Sequence, residues 1–297
     1  MDFFVIYQPL FDLFLISAGF ALSQYIVLRA GVFSIGTVGV VAIGAYVGAI
    51  LMTNYGISIW IAAPVSTLTG LVVGLLLSIP LARLRGPYQA IATLSFVQIV
   101  VSIALYAEGA TGGAAGFSNI PKQVSTLGLL AAVLIVIYVL VALDRSRIGL
   151  FFDALRQDES VAGAFGVSVG FYHALAFALS GAIAGLFGAL QAGYIYSIAP
   201  QQYGFGLLAT TLAAVILGGR RSVAGPIIGA AIMTFLPELG RPMAENRLLV
   251  VGLLLVLVIR FMQRGIADSA ISAFRRKIPS AKNSPLTRVS VKSDTVA

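Results

Sequence analysis

Residues able to perform covalent or acid–base chemistry are scarce in this chain, and they form no recognisable catalytic arrangement. Among the 297 residues there is one histidine, His173, and no cysteine. A thiolate nucleophile, a thiolate metal site and a disulfide are therefore excluded. No glycine is followed by lysine, so the chain lacks the loop that cradles ATP phosphates. The sequence predicts no enzyme activity, no catalytic residue, no metal and no cofactor on this chain.

The carboxylates avoid the middle of the long apolar segments. Of the 11 acidic residues, only Asp12 and Glu238 touch such a segment, and each lies near its end. Ionisable groups inside membrane spans are typical of proton and ion relays. The pattern therefore disfavours a proton-driven carrier or pump, whereas sodium coupling through backbone carbonyls stays open.

The long apolar segments of the chain are predicted to be membrane helices. Apolar residues make up 59% of the chain and charged residues 10%, against roughly 25% charged residues in soluble domains. The apolar runs lack the alternation of a membrane β-strand, so the spans are predicted to be helical. The predicted fold is an all-α integral membrane protein, a polytopic bundle of about eight or nine transmembrane helices.

Nine apolar runs can be read along the chain, at residues 10–28, 32–53, 57–79, 88–107, 127–143, 171–195, 207–217, 223–236 and 248–262. The seventh and eighth are short and meet at Gly218 and Gly219, so they form either two tilted spans or a broken, re-entrant pair. Residues 1–265 are predicted to form the transmembrane domain. Residues 266–297 are predicted to be a basic, disordered cytoplasmic tail.

The basic residues orient the chain. With nine spans and the N-terminus outside, 16 of the 19 Lys and Arg residues fall on the inner side, leaving Lys122, Arg241 and Arg247 outside. This positive-inside bias predicts an external N-terminus and a cytoplasmic C-terminus. It also explains the net charge of +8 without a nucleic-acid partner.

Glycines are concentrated in the second, sixth and eighth runs. The second carries Gly31, Gly36, Gly39, Gly44 and Gly48, the sixth Gly181, Gly185, Gly188 and Gly193, and the eighth Gly225 and Gly229. Small residues allow helices to approach closely in lipid. Interrupted membrane helices are also tolerated where they line a cavity. Tight packing and a translocation pathway are both compatible with this pattern.

The inner loop at residues 144–170 is the most informative polar stretch. Four of its apolar residues recur at helical spacing, namely Leu155, Val161, Ala162 and Phe165. Asp158 and Glu159 lie opposite part of this stripe, so one short amphipathic helix over residues 154–166 is predicted at the inner membrane face. Such a helix either rests on lipid or docks a soluble subunit.

Five motifs, in this order, resemble the M-type membrane permease of branched-chain amino-acid ABC importers. The first two are P-L-A-R-L-R-G-P-Y-Q-A-I-A-T-L-S-F at 80–96 and T-G-G-A-A-G at 111–116. The third, at 146–166, begins with S-R-x-G, continues with A-L-R and includes Glu159 and Gly166. The last two are A-F with A-G-L-F-G-A at 176–189 and L-G-G-x-x-S-x-x-G-P with G-A at 217–230. The resemblance covers roughly residues 20–265.

The resemblance implies a permease subunit of the bacterial inner membrane. It would move branched-chain amino acids, or related small amino acids, amides or urea, into the cell. Its implied partners are a second, H-type permease, two ATPase subunits that hydrolyse ATP and an extracytoplasmic substrate-binding protein. The resemblance assigns ATPase coupling to Arg156, Asp158, Glu159 and Gly166, and an outer loop to Thr111, Gly112 and Gly113.

A pathway for a zwitterionic solute would need uncharged polar groups beside the glycine-rich spans. The candidates are Ser34, Gly36, Thr37, Gly44, Thr93, Ser180, Gly218 and Gly219. The alternative function is a passive channel or facilitator for a small neutral solute. That alternative shares the charge-free spans but gives no role to the 144–170 loop.

Overall fold

The structure is a computed structural model that describes residues 2–220 and 222–239. Three predictions lie outside the described residues: the ninth apolar run at 248–262, the cytoplasmic location of the C-terminus and the basic tail at 266–297.

The described residues form eleven α-helices and two short 3-10 turns, without a β-strand. The helices are α1 (Asp2–Arg29), α2 (Thr37–Asn54), α3 (Ile59–Leu81), α4 (Pro87–Tyr106), α5 (Glu108–Thr111), α6 (Thr126–Arg145), α7 (Arg147–Gln157), α8 (Glu159–Ala164), α9 (Val169–Tyr194), α10 (Phe205–Gly218) and α11 (Ala224–Leu239). The 3-10 turns are Gly113–Ala115 and Pro200–Tyr203.

Six of these helices are long and apolar enough to cross a membrane: α1, α2, α3, α4, α6 and α9. They coincide with the first six predicted runs, which confirms an all-α polytopic membrane protein. The 14 residues of α10 and the 16 of α11 correspond to about 21 and 24 Å of helix, less than the roughly 30 Å of hydrocarbon. The count of eight or nine spans stays a prediction.

The spans form an inner and an outer layer. The apolar windows of α1, α2 and α9 are 72%, 67% and 72% buried, whereas those of α3, α4 and α6 are 33%, 28% and 22% buried. The outer helices expose large apolar side chains such as Trp60, Ile91 and Leu134. In a membrane protein, these side chains face lipid.

Helix α9 lies at the centre because its glycines admit neighbouring backbones. A Cβ placed on Gly181 would fall on the carbonyl oxygen of Gly70, and one on Gly185 would fall on that of Ser66. Both carbonyl oxygens belong to α3, so the backbones of α3 and α9 are in direct contact. On another side of α9, a Cβ on Gly188 would meet the backbone of Val41 in α2. Close contact of this kind is how helices associate in lipid.

The two short helices form a hairpin that packs by the same means. A Cβ on Gly218 would overlap the carbonyl oxygen of Gly225, and one on Gly229 that of Ala214. The ring of Phe235 in α11 lies 5.8 Å from that of Phe14 in α1. The hairpin is thereby attached to the inner layer.

We predict that Gly185→Ala lowers the stability of the folded protein by about 1–3 kcal/mol, because its methyl group must push α3 away from α9. Gly170→Ala is the matched control in the same helix, since a Cβ there meets no atom within 4 Å. The measurement is the thermal unfolding midpoint of each purified variant in detergent. Equal midpoints for the two variants would contradict the proposed backbone contact.

Candidate functional site

The inner loop folds as two helices, so the prediction of one helix over residues 154–166 is wrong. Helix α7 ends at Gln157, and Asp158 adopts an extended conformation with φ −161° and ψ 114°. Its Oδ1 accepts the backbone N–H groups of Ser160 at 2.8 Å and Val161 at 3.0 Å. Asp158 therefore caps α8, and this local bonding competes with continuation of α7. We call residues 147–166 the coupling segment.

The predicted apolar stripe is divided between two sides of the coupling segment. Leu155 and Ala162 are buried, with 2% and 4% of their surface exposed. Val161 and Phe165 face outward and are 51% and 84% exposed. The prediction of a single apolar stripe that faces lipid or a partner is therefore wrong. The buried residues attach the segment to the bundle, and the outward ones leave an apolar surface on α8.

A charged cluster joins the coupling segment to the C-terminal ends of α1 and α6. The Arg29 side chain is 8% exposed, and its Nη1 lies 3.1 Å from Oδ2 of Asp144. Its Nη2 lies 3.5 Å from Oδ2 of Asp153 in α7. Nη1 also donates to the Tyr25 hydroxyl oxygen at 2.7 Å. One guanidinium thus contacts carboxylates from two different helices.

Sequence reasoning missed this cluster, since Arg29 lies 115 residues from Asp144 and 124 residues from Asp153 along the chain. Arg29, Asp144 and Asp153 enter the sequence argument only as unconnected charges. The available signal was that Arg29 and Asp144 both follow apolar runs predicted to end at the inner side. Opposite charges at neighbouring helix ends are expected to pair when both are removed from water.

The predicted coupling residues make contacts within the chain. Arg156 lies 3.5 Å from Asp153, and its Nη1 donates to the backbone oxygen of Arg220 in the α10–α11 turn at 3.4 Å. Glu159 lies 3.8 Å from Nε2 of His173 and 3.9 Å from Nε of Arg85. These contacts connect the segment to α9, to the α3–α4 loop and to the hairpin.

Gly166 ends the coupling segment at a φ of +83°, a conformation that favours glycine. A Cβ placed on it meets no atom within 4 Å, so the position is open to solvent or to a partner.

Four of the predicted pathway residues meet at the connection between α1 and α2. Gln24 donates to the backbone oxygen of Ser34 and accepts from the Thr37 hydroxyl. The Thr93 hydroxyl accepts the N–H of Ile35 at 3.1 Å and donates to a backbone oxygen of its own helix. Gly36 lies within this group, and its N–H is 3.3 Å from the Ser34 hydroxyl.

These contacts explain how a non-helical connection is held inside the bundle. Ser34, Thr37 and Thr93 are at most 5% exposed, and each has a protein partner. Gln24, 2% exposed, supplies two of the bonds but was not among the predicted residues.

The other predicted pathway residues lie at separate helix contacts. Ser180 in α9 pairs with Ser23 in α1, where the hydroxyl oxygens are 3.2 Å apart and each hydroxyl donates to the other residue's carbonyl. A Cβ on Gly44 would lie 2.5 Å from Cα of Gly185, so Gly44 belongs to the α2–α9 contact. Gly218 and Gly219 form the α10–α11 turn. A role in translocation stays a prediction for all eight residues.

The predicted outer loop is a compact turn. The Thr111 hydroxyl donates to the carbonyl oxygens of Ala104 at 2.6 Å and Ala107 at 2.8 Å. Gly112 and Gly113 have φ values of +74° and +60°, and a Cβ on Gly112 would overlap the carbonyl oxygen of Gly116. The T-G-G-x-x-G motif therefore encodes a left-handed turn that side chains other than hydrogen would obstruct.

Comparison with known proteins identifies a matching protein family. The family described as "Branched-chain amino acid transport system / permease component" matches residues 10–259. The chain is 32% identical to the high-affinity branched-chain amino acid transport system permease protein LivM of Escherichia coli, over 85% of this chain and 68% of that protein. The LivM protein of Salmonella typhimurium is similar to the same extent.

A second kind of relative also matches. The chain is 28% identical to the probable branched-chain amino acid transport permease protein LivH of Methanocaldococcus jannaschii, over 77% of this chain and 76% of that protein. No solved structure matches the chain.

We predict that Thr93→Val destabilises the protein by about 1–3 kcal/mol, because valine leaves the partly buried N–H of Ile35 without its acceptor. Thr93→Ser keeps the hydroxyl and should retain nearly all of the stability. The comparison is made by thermal unfolding of both purified variants. If valine and serine have the same effect, the hydroxyl does not hold the α1–α2 connection.

Proposed function

The chain belongs to the family of permease components of branched-chain amino acid transport systems, and we propose that it is the membrane-spanning M-type subunit of an ABC importer. A permease component is a transport subunit rather than an enzyme. The family match over residues 10–259 carries this proposal. The multi-pass helical fold and the structured coupling segment on one face of the bundle support it.

The transported solute is a branched-chain amino acid. The LivM and LivH relatives, whose names specify branched-chain amino acid transport, support this choice. Related small amino acids, amides and urea are the competing solutes.

Transport requires partner chains. We assign ATP hydrolysis to two separate ATPase subunits, because this sequence lacks a phosphate-binding loop. A second, H-type permease completes the membrane part, and an extracytoplasmic binding protein delivers the solute. The similarity to both LivM and LivH fits a pair of related permeases.

The coupling segment is the docking site for one ATPase. Val161 and Phe165 present apolar surface on α8, and Gly166 leaves open space beside them. A short apolar helix face that enters a groove is a common mode of protein recognition. Arg156, Asp158 and Glu159 set the position of this surface through the contacts described above, and they orient the ATPase by charge-assisted hydrogen bonds at its edge.

The membrane is the bacterial inner membrane, with the N-terminus outside and the C-terminus in the cytoplasm. The end of the bundle that carries the coupling segment also carries Arg29, Arg85 and Arg145, whereas the opposite end carries Lys122. This asymmetry supports a cytoplasmic coupling segment.

We expect Phe165→Ser to weaken association with the ATPase subunits by about tenfold or more, the loss that corresponds to one buried aromatic side chain. Folding should not change, since Phe165 is 84% exposed. Tyr106→Ser is the matched control, because Tyr106 is 87% exposed at the opposite end of the bundle. Co-purification of the ATPase subunits measures the effect. Normal co-purification of the Phe165 variant would refute docking at this surface.

The sidedness can be tested with single cysteines, because the chain has none of its own. Gly109→Cys and Gly170→Cys are suitable, since a Cβ at either glycine meets no atom within 4 Å. We expect a membrane-impermeant maleimide to label Gly109→Cys in intact cells and Gly170→Cys only after permeabilisation. The opposite pattern would invert the proposed topology.

A further inference from the structure

Two contacts tie helix α7 of the coupling segment to the inner end of α1. The first is the ion pair between Arg29 and Asp153, with Nη2 and Oδ2 separated by 3.5 Å. The second is a close approach of backbones, since a Cβ on Gly31 would lie 3.1 Å from Cα of Arg156. Gly31 has a φ of +88°, so the chain turns sharply at this contact. A displacement of α7 therefore acts directly on the end of α1.

The inner end of α1 leads into the buried connection to α2. The next residue, Ala30, is fully buried. Four residues further on, Ser34 is held by Gln24, and Thr93 of α4 holds Ile35. Hydrogen bonds thus hold the α1–α2 connection to α1, α2 and α4.

The two carboxylates of the cluster have different environments. The Asp144 side chain is 21% exposed and that of Asp153 is 40% exposed. Asp144 and the Tyr25 hydroxyl keep the buried Arg29 compensated even when Asp153 is removed. Asp153 is therefore the more dispensable partner for folding, although it is the one that connects α1 to the coupling segment.

We infer that Arg29 is a positioning residue for transport, which transmits movement of the coupling segment to the α1–α2 connection through its ion pair with Asp153. The inference rests on the proposed importer function. The planar guanidinium can serve two carboxylates in fixed directions, whereas a lysine ammonium at the end of a flexible chain cannot hold that geometry. Arg29 needs no contact with the solute or with the ATPase to perform this role.

The test uses the complete importer, purified with its partner subunits and reconstituted in proteoliposomes. Uptake of a radiolabelled branched-chain amino acid and ATP hydrolysis are measured in the same vesicles for Arg29→Lys and Asp153→Asn. These two variants share only the loss of the Arg29–Asp153 ion pair, because Arg29→Lys leaves the Asp153–Arg156 contact in place. We expect each to lower uptake per ATP hydrolysed about five- to tenfold, the order of one ordinary hydrogen bond.

Two control variants separate this role from general destabilisation. Asp153→Glu keeps the carboxylate and should restore most of the uptake per ATP. Arg145→Lys makes the same arginine substitution at an exposed site next to Asp144 and should leave the ratio unchanged. Co-purification of the ATPases should be normal for all four variants, and thermal unfolding should be normal for the two Asp153 variants and for Arg145→Lys.

Three results would overturn the inference. Uptake per ATP at the parent level in Arg29→Lys or Asp153→Asn would show that the ion pair transmits nothing. The same loss in Asp153→Glu would show that the carboxylate is not what matters. Loss of ATPase co-purification in Asp153→Asn would place Asp153 in the docking surface instead. A parent complex that shows no ATP-dependent uptake would instead refute the proposed function itself.

Discussion

The bundle depends on close backbone contact between α9 and its neighbours. In lipid, burying apolar side chains gives little drive for association, because the surrounding chains are equally apolar. Gly181 and Gly185 allow α9 to touch the backbone of α3, and Gly188 allows it to touch α2. With these helices fixed, the irregular connection between α1 and α2 is held by hydrogen bonds to Gln24 of α1 and Thr93 of α4.

Ion pairs, in turn, attach the coupling segment to the helix bundle. Arg29, Asp144 and Asp153 hold the coupling segment on the bundle side, and α8 leaves Val161 and Phe165 exposed on the other. The segment is therefore attached to the bundle on one side and exposed on the other, which suits the docking role proposed for it. Because the segment breaks at Asp158, a partner docked on α8 would act on the bundle through two short helices and their contacts rather than through one rigid helix.

Much of the fold could be predicted from the sequence, since the bilayer imposes a length and a composition on each span. The glycine pattern of α9 was visible, but its partner in α3, the small residues Ser66, Gly70 and Gly74 at every fourth position, was not singled out. The Arg29 cluster and Gln24 depend on contacts between distant segments, which no local spacing reveals. The break at Asp158 was missed because apolar periodicity outweighed the preference of aspartate for helix N-termini. The predicted loop at Thr111, Gly112 and Gly113 depends only on local glycine conformations, and the structure has a compact turn at these residues, whose outer side stays a prediction.

The proposed importer moves its solute only when partner subunits hydrolyse ATP. Uptake of a labelled branched-chain amino acid can be measured in proteoliposomes that contain this chain, with and without its partners and ATP. We expect uptake above the external concentration only in the complete, ATP-supplied system, and no flux through this chain alone. Equilibration of the solute across vesicles that contain this chain without ATP would contradict it, because such flux identifies a passive facilitator.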